Sequence, residues 1–126
     1  MPVATLFSIA ETPGFPSYSA LYQRLGMQEY HFVSIRKAIS QLKSNRPDIV
    51  VAEFLYGYGN NYAGVNISNL DVFLYSLQKY APDARIIILV DKSEREYADQ
   101  LAKLFELHTI LMLPVSEQEL EQALTD

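Results

Sequence analysis

The amino-acid sequence predicts an α/β fold in which five parallel strands alternate with five helices in a doubly wound sheet. Short apolar runs of strand length alternate with stretches of helical periodicity along the chain. The segment Ile49–Leu55 is apolar apart from Glu53, which is typical of a strand buried on both faces of a parallel sheet. A chain of 126 residues has room for one sizeable core. We therefore expect residues 1–126 to form a single domain.

Two strand–helix units are predicted in the first part of the chain. Val3–Ile9 and Tyr30–Ile35 are strand-like runs, and Gly26 is placed to end the first helix in a left-handed conformation. Each helix is indicated by apolar residues three and four positions apart, which are Tyr18, Leu21, Tyr22 and Leu25 in the first and Ile35, Ala38, Ile39 and Leu42 in the second.

Three further units are predicted in the rest of the chain. Capping boxes, in which a Ser and a Glu three residues apart satisfy each other's backbone amides, predict the starts of the last two helices at Ser93 and Ser116. The strands are Ile49–Leu55, Ala84–Val90 and His108–Leu113. The apolar faces of the three helices are Leu70, Phe73, Leu74 and Leu77, then Tyr97, Leu101, Leu104 and Phe105, and finally Leu120, Ala123 and Leu124.

Composition excludes several classes of function. The net charge of −5 would repel a phosphate backbone, so we expect no nucleic-acid binding. The absence of cysteine excludes disulfides and thiol catalysis and agrees with a reducing cytosol. No apolar stretch approaches the length of a membrane span, and the N-terminus lacks the basic region of a signal peptide, so the sequence predicts a cytoplasmic protein.

No pattern in the sequence indicates an enzyme, a cofactor or a metal site. The spacings of a P-loop, a zinc-protease motif and a Ser/His/Asp triad are all missing. His31 and His108 stand alone in or beside strands, and we interpret both as structural.

Two segments resemble a known family. RPDIVV at residues 46–51, and the later order IIILV…LMLP-x-S-x-x-EL, are similar to strands of bacterial response-regulator receiver domains, the CheY-like family. The resemblance implies a flavodoxin-like (βα)5 sheet of order 2-1-3-4-5 and a role in two-component signal transduction. It also implies a functional crevice at the carboxyl ends of the strands.

The resemblance aligns Glu53 with the phosphorylatable aspartate of receivers, and a glutamate is one methylene longer. The acidic pair that holds the metal in receivers falls around Ser8, Ile9 and Ala10, where Glu11 is the only acid nearby. A single carboxylate is a poor magnesium site.

The other phosphorylation groups are also replaced. The positions of the strand-4 hydroxyl, the strand-5 aromatic and the lysine before the proline are taken by Val90, Ile110 and Leu113. The resemblance therefore implies a degenerate pseudo-receiver that is not phosphorylated, with a cis Leu113–Pro114 bond.

Two interpretations of Glu53 remain open. It is either a solvated carboxylate at a strand end or a permanent negative charge that imitates a phosphorylated acceptor. Lys92, just after the fourth strand, either pairs with Glu53 or is a solvated charge at a helix start.

The loop at residues 56–69 is long and rich in Tyr, Gly and Asn. Tyr56, Tyr58 and Tyr62 supply amphipathic surface, and such a composition is typical of recognition loops. The alternative is a loop whose tyrosines cover the vacant phosphorylation crevice.

The leading hypothesis is a protein-interaction or dimerisation module in bacterial signalling. The expected contact surface is formed by the fourth helix, the fifth strand and the fifth helix, where a mixed set of charges suits a self-complementary pair: Glu94, Arg95, Asp99, Lys103, Glu117 and Glu121.

The alternative hypothesis is a sensor that binds a small ligand, phosphate or flavin in the former crevice. The loop after the first strand supplies Thr12, Gly14, Ser17 and Ser19. However, Pro13 and Pro16 remove two backbone donors that a phosphate cradle would use.

Overall fold

The computed structural model describes residues 3–56 and 68–125. Five parallel strands form one sheet of order β2-β1-β3-β4-β5, and five helices connect and cover them, so the predicted fold and strand order are confirmed. The strands are β1 (Thr5–Ile9), β2 (Gln28–Phe32), β3 (Ile49–Glu53), β4 (Arg85–Asp91) and β5 (Thr109–Leu113). The helices are α1 (Ser19–Arg24), α2 (Ile35–Gln41), α3 (Asp71–Tyr80), α4 (Arg95–Leu101) and α5 (Glu117–Thr125).

Each face of the sheet has its own core, because side chains alternate along a strand. Val50, Ala52 and Phe54 pack on the face covered by α2, α3 and α4. Ile49 and Val51 pack on the opposite face, covered by α1 and α5. By the same alternation, Glu53 points to the α1–α5 face.

Two predicted helix ends are confirmed. Gly26 follows α1 with φ of 74°, its amide donates to Gln23, and the next amide donates to Tyr22 at 2.9 Å, which is the Schellman arrangement. At the start of α5, Ser116 and Glu119 each accept a hydrogen bond from the other's amide at 3.0 Å. These side chains satisfy backbone groups that the helices leave unpaired.

The predicted span of the second strand is wrong. β2 begins at Gln28 and ends at Phe32. Ile35, which was predicted to close the strand, is the first residue of α2 because the Ser34 hydroxyl accepts from the amide of Lys37 and caps the helix. The other strand bounds differ from the predicted ones by one or two residues at an end.

The predicted capping box at Ser93 is also wrong. Ser93 lies inside a short 3-10 helix (Lys92–Glu94), and its amide and hydroxyl both donate to the carboxylate of Asp91, at 2.9 and 2.5 Å. These hydrogen bonds lower the pKa of Asp91. α4 then ends at Leu101, so that Leu104, predicted on its buried face, is 53% exposed.

Two further observations complete the fold. The Leu113–Pro114 bond is cis, as the resemblance implied. Within residues 3–56 and 68–125, no helix combines the length and apolar character that crossing a membrane requires.

Candidate functional site

Glu53 is buried at the carboxyl end of β3, with 5% of its surface exposed. Its Oε1 accepts hydrogen bonds from the amides of Glu11 at 2.9 Å and Thr12 at 3.0 Å. Its Oε2 accepts a bond from the hydroxyl of Thr12 at 2.5 Å. The expectation of a solvated carboxylate is therefore wrong: protein donors from the loop after β1 take the place of water.

The shape of that loop explains why its donors point inward. Pro13 and Gly14 occupy the centre of a turn closed by a 3.1 Å hydrogen bond from the Phe15 amide to the Thr12 carbonyl, and Gly14 has φ of 80°. This is the pattern of a type II β-turn, which favours Pro and then Gly at its two central positions. Pro13 therefore does not weaken the cradle, because the two donating amides precede it.

Asn69 holds the other side of the site. Its side-chain amide donates to the Glu11 carboxylate and to the Glu53 carbonyl, both at 3.0 Å, and its Oδ1 accepts from the amide of Leu55 at 2.8 Å. Sequence reasoning missed this residue. The sequence did carry a signal, because Asn69 lies between the polar residues Ser68 and Asp71 at the start of α3. The amide and hydroxyl of Ser68 donate to the Asp71 carboxylate at 2.7 and 2.9 Å.

The positions aligned with the phosphorylation groups divide between the two faces of the sheet. Ile9 and Val90 are buried in the α2–α3–α4 core, and Ile110 packs against that core. Ala10 is half-buried just after β1, and Leu113 packs on the α1–α5 side, the side of Glu53.

The strand register places the side chain of Val90 on the face of the sheet opposite to Glu53. Glu53 is paired with Leu89, which packs on the α1–α5 face. Val90 is fully buried on the other face. Successive side chains of a strand point to opposite faces, so the side chains of Val90 and Glu53 do not meet.

The site shows no cation-binding character in the described part of the chain. No group of three or more acidic, His or Cys side chains there could hold a metal ion. The carboxylate of Glu11 faces the side-chain amide of Asn69, and exposed Lys92 forms no ion pair with Glu53. The donors around Glu53 are instead suited to an anion.

A second polar cluster lies beside the first, between β1, β2 and α1. Glu29 accepts hydrogen bonds from the hydroxyls of Ser8 at 2.5 Å and Ser19 at 2.6 Å, and Nδ1 of His31 lies 2.9 Å from the Ser8 hydroxyl. Burial, followed by the charge of Glu29, raises the pKa of Tyr22. The cluster lines a cavity of about 30 Å³, which is large enough for ordered water but for little else.

Sequence reasoning treated His31 as isolated and did not select Glu29. The signal was the spacing of two residues, which puts both side chains on one face of a strand. Ser8 pairs directly with His31 in the β1–β2 register, so this cluster follows once the strand order is known. Ser17 and Ser19, expected in a phosphate loop, bond to each other, and Ser19 then bonds to Glu29.

Tyr56 does not cover the crevice. Its ring is stacked on Tyr97 of α4 with 3.6 Å between centroids, its amide donates to Glu94 at 3.2 Å, and 47% of its surface is exposed. Tyr58 and Tyr62 lie outside the described residues. The start of the loop is therefore attached to α4.

Comparison with solved structures decides the fold family. A CheY-like receiver domain protein from Methanospirillum hungatei JF-1 matches with a TM-score of 0.76 and 8% identity, over 98% of this chain and 92% of that one. Chemotaxis protein CheY4 of Vibrio cholerae matches with a TM-score of 0.76 and 14% identity, over 98% of both chains. This chain has the CheY-like receiver fold.

A third solved structure, that of an uncharacterized protein from Neptuniibacter caesariensis, matches with a TM-score of 0.75 and 18% identity, over 97% of this chain and 87% of that one. No protein-family model matches the chain, and no curated protein sequence matches it. The likeness therefore rests on three-dimensional structure.

On the α4–β5–α5 side of this receiver fold, four of the six charges expected for a self-complementary pair have partners within the chain. Glu117 and Glu121 of α5 are paired with Arg24 of α1, at 3.0 and 2.8 Å, and the hydrogen bond from Arg24 lowers the pKa of Glu121. Arg95 and Asp99 form an ion pair along α4.

Proposed function

We propose that this chain is a receiver-fold protein-interaction module in signal transduction that works without phosphoryl transfer and has no enzymatic activity of its own. One observation carries the proposal: both oxygens of Glu53, at the phosphoacceptor position, are engaged by the loop after β1. Phosphoryl transfer would need one of them free to attack phosphorus, with a cation beside it to offset charge on the phosphoryl oxygens.

The proposal is tested with beryllofluoride and Mg²⁺, which mimic the phosphorylated state, in an NMR titration of the full chain. We expect the amides of Glu11, Thr12 and Glu53 to keep their chemical shifts. A receiver with an intact aspartate site, run in parallel, is the positive control. Saturable shifts centred on Glu53, or addition of a phosphoryl group after incubation with acetyl phosphate, would contradict the proposal.

The proposed contact surface lies on α4, the residues that follow it and β5, and we propose that it binds a second copy of the chain. Leu104 is 53% exposed and Met112 is 44% exposed. Met112 lies on the same face of β5 as Ile110, and β5 is an edge strand of the sheet. The Arg95–Asp99 pair on α4 supplies one charge of each sign, which a two-fold axis can pair with its copy.

Sedimentation tests this surface. We expect concentration-dependent dimerisation of the wild type and a monomer when Leu104→Asp is combined with Met112→Asp, because charges of the same sign would be buried without partners. Val72→Asp is a matched control, since Val72 is an equally exposed apolar residue on α3. A wild type that stays monomeric at high concentration would count against self-association.

A second candidate function is small-ligand sensing. Its supporting observation is an open groove of about 450 Å³ on the outer side of the loop after β1, lined in part by Glu11, Phe15, His31 and Val33. This volume suits a small ligand, whereas the cavity at Ser8 and Glu29 does not. Flavin absorbance in the purified protein, or saturable shifts of His31 and Val33 with inorganic phosphate, would favour this candidate. The absence of both would remove it.

A further inference from the structure

We infer that the loop between β1 and α1 is a carboxylate-binding site and that Glu53 is its built-in ligand. The inference concerns what this loop recognises, and it stands whether or not the chain associates with a partner. It also reverses the chemistry that the resemblance would place here, because the loop offers hydrogen-bond donors where a receiver offers carboxylates to a cation.

The donors form a concave anion site of a known kind. Two successive backbone amides, those of Glu11 and Thr12, converge on one oxygen of Glu53 at 2.9 and 3.0 Å. The Thr12 hydroxyl donates to the other oxygen. Successive amides that point to one side make a nest for anions, and an ionised acceptor strengthens each bond.

The loop is held in shape by contacts that do not involve the Glu53 carboxylate. Its first residue, Ala10, donates to the Phe32 carbonyl at 3.0 Å, and its turn is closed by the bond from Phe15 to Thr12 at 3.1 Å. The Glu11 side chain is held by Asn69 at 3.0 Å. Removing the carboxylate of Glu53 therefore leaves the three donors in place and without an acceptor, which is an unfavourable state that a small anion would relieve.

Charge, geometry and size select a monocarboxylate. Two donors bind one oxygen and the third donor binds the other, an arrangement that matches a planar carboxylate. A phosphate dianion would have to lose more hydration in this buried position, and the neighbouring Glu11 carboxylate would repel it further. Substitution of Glu53 by Ala removes one methylene and the carboxylate, which together have the size of acetate.

The test is an NMR titration of the full chain carrying Glu53→Ala with sodium acetate, compared with sodium chloride at equal ionic strength. We expect saturable shifts of the Glu11 and Thr12 amides, with a dissociation constant on the order of millimolar for so small a ligand. We also expect acetate to raise the unfolding temperature of this variant above its value in chloride. The wild type should show neither effect, because Glu53 fills the site.

A second variant separates specific binding from a salt effect. Adding Thr12→Val to Glu53→Ala removes the hydroxyl donor and should weaken acetate binding by roughly tenfold. Isobutyrate, which is larger than the space vacated, should bind less well than acetate. Equal binding of acetate with and without the hydroxyl would overturn the assignment of Thr12.

Three results would overturn the inference. The first is a folded Glu53→Ala variant whose Glu11 and Thr12 amides show no saturable response to acetate. The second is tighter binding of inorganic phosphate than of acetate, which would remove the carboxylate class. The third applies if Glu53→Ala is unfolded in chloride, and it is a failure of acetate to recover the folded circular dichroism spectrum. Recovery of that spectrum in acetate would support the inference. None of these results depends on beryllofluoride or on dimerisation.

Discussion

Thr12 donates both its backbone amide and its side-chain hydroxyl to the carboxylate of Glu53, at 3.0 and 2.5 Å. The two residues are 41 positions apart in the chain. This pair of bonds joins the end of β3 to the loop after β1 across the centre of the sheet, where the direction of winding reverses.

Replacing Thr12 by Val should destabilise the fold. The substitution keeps the branched shape but removes a donor to a buried carboxylate, so we expect a loss of about 1–3 kcal/mol in the free energy of unfolding. Urea unfolding measures it. Thr12→Ser keeps the hydroxyl and serves as the control. A loss in Thr12→Ser with none in Thr12→Val would show that the methyl group, rather than the hydrogen bond, supports the site.

Two serines that look alike in sequence should respond differently to Ala. Ser116 caps α5 through a reciprocal pair with Glu119, so Ser116→Ala should cost about 1 kcal/mol. Ser93 does not cap α4 and only donates to exposed Asp91, so Ser93→Ala should cost less than about 0.5 kcal/mol. Chemical unfolding of both variants tests the order. A larger loss of stability in Ser93→Ala than in Ser116→Ala would support the capping box that the sequence predicted at Ser93.

Gly26→Ala should destabilise the end of α1 through the backbone alone. Beyond its two chain neighbours, no atom lies within 4 Å of an added Cβ, but φ of 74° is unfavourable for an L-residue and should cost about 1–2 kcal/mol. Gly26→Asn is the matched control and should cost less, since Asn tolerates this conformation better. Thermal or urea unfolding compares them. A neutral effect of Ala would mean that the chain rearranges after Leu25.

Stability should fall at alkaline pH through Tyr22. Burial, together with the charge of Glu29, raises the pKa of this phenol above its ordinary value of 10.0. Tyr22 in the unfolded chain therefore ionises first. Its contribution is fully present below about pH 10 and is lost as the pH rises further, at up to about 1.4 kcal/mol per pH unit.

Urea unfolding measured from about pH 8 to about pH 11, a range that includes the ordinary tyrosine pKa, tests this dependence. Tyr22→Phe should lose less stability above pH 10 than the wild type. Tyr75→Phe is the control, because Tyr75 is exposed on α3. Parallel pH profiles for wild type and Tyr22→Phe would contradict the role of this phenol.

The elements that the sequence predicted well are those with local signals. The run ahead of Glu53 is uniformly apolar because β3 is buried on both faces. Ser116 and Glu119 satisfy each other within one helical turn, and Gly26 supplies a left-handed residue where the chain leaves α1. The strand order came from the resemblance, since a periodic pattern does not say which strands are neighbours.

The candidate site was predicted less well because its contacts are long-range. Nothing near Glu53 in the sequence indicates that its acceptors meet donors from the loop after β1. Ser93 was misread because Asp91, two positions earlier, is a stronger acceptor for the same amide. Glu29 and His31 face one cluster only because β1 lies beside β2, which places Ser8 next to His31.

The amide donors of the loop after β1 also limit how this protein could be re-engineered. Glu53→Asp alone would withdraw the carboxylate by one methylene and leave the amides of Glu11 and Thr12 unsatisfied, while adding no ligand for a cation. New acids at Ser8 or Ala10 alone would repel the carboxylate of Glu53. Each of these single substitutions is therefore expected to lower stability before any chemistry appears, so the design of a working phosphoacceptor site would have to change β1 and β3 together.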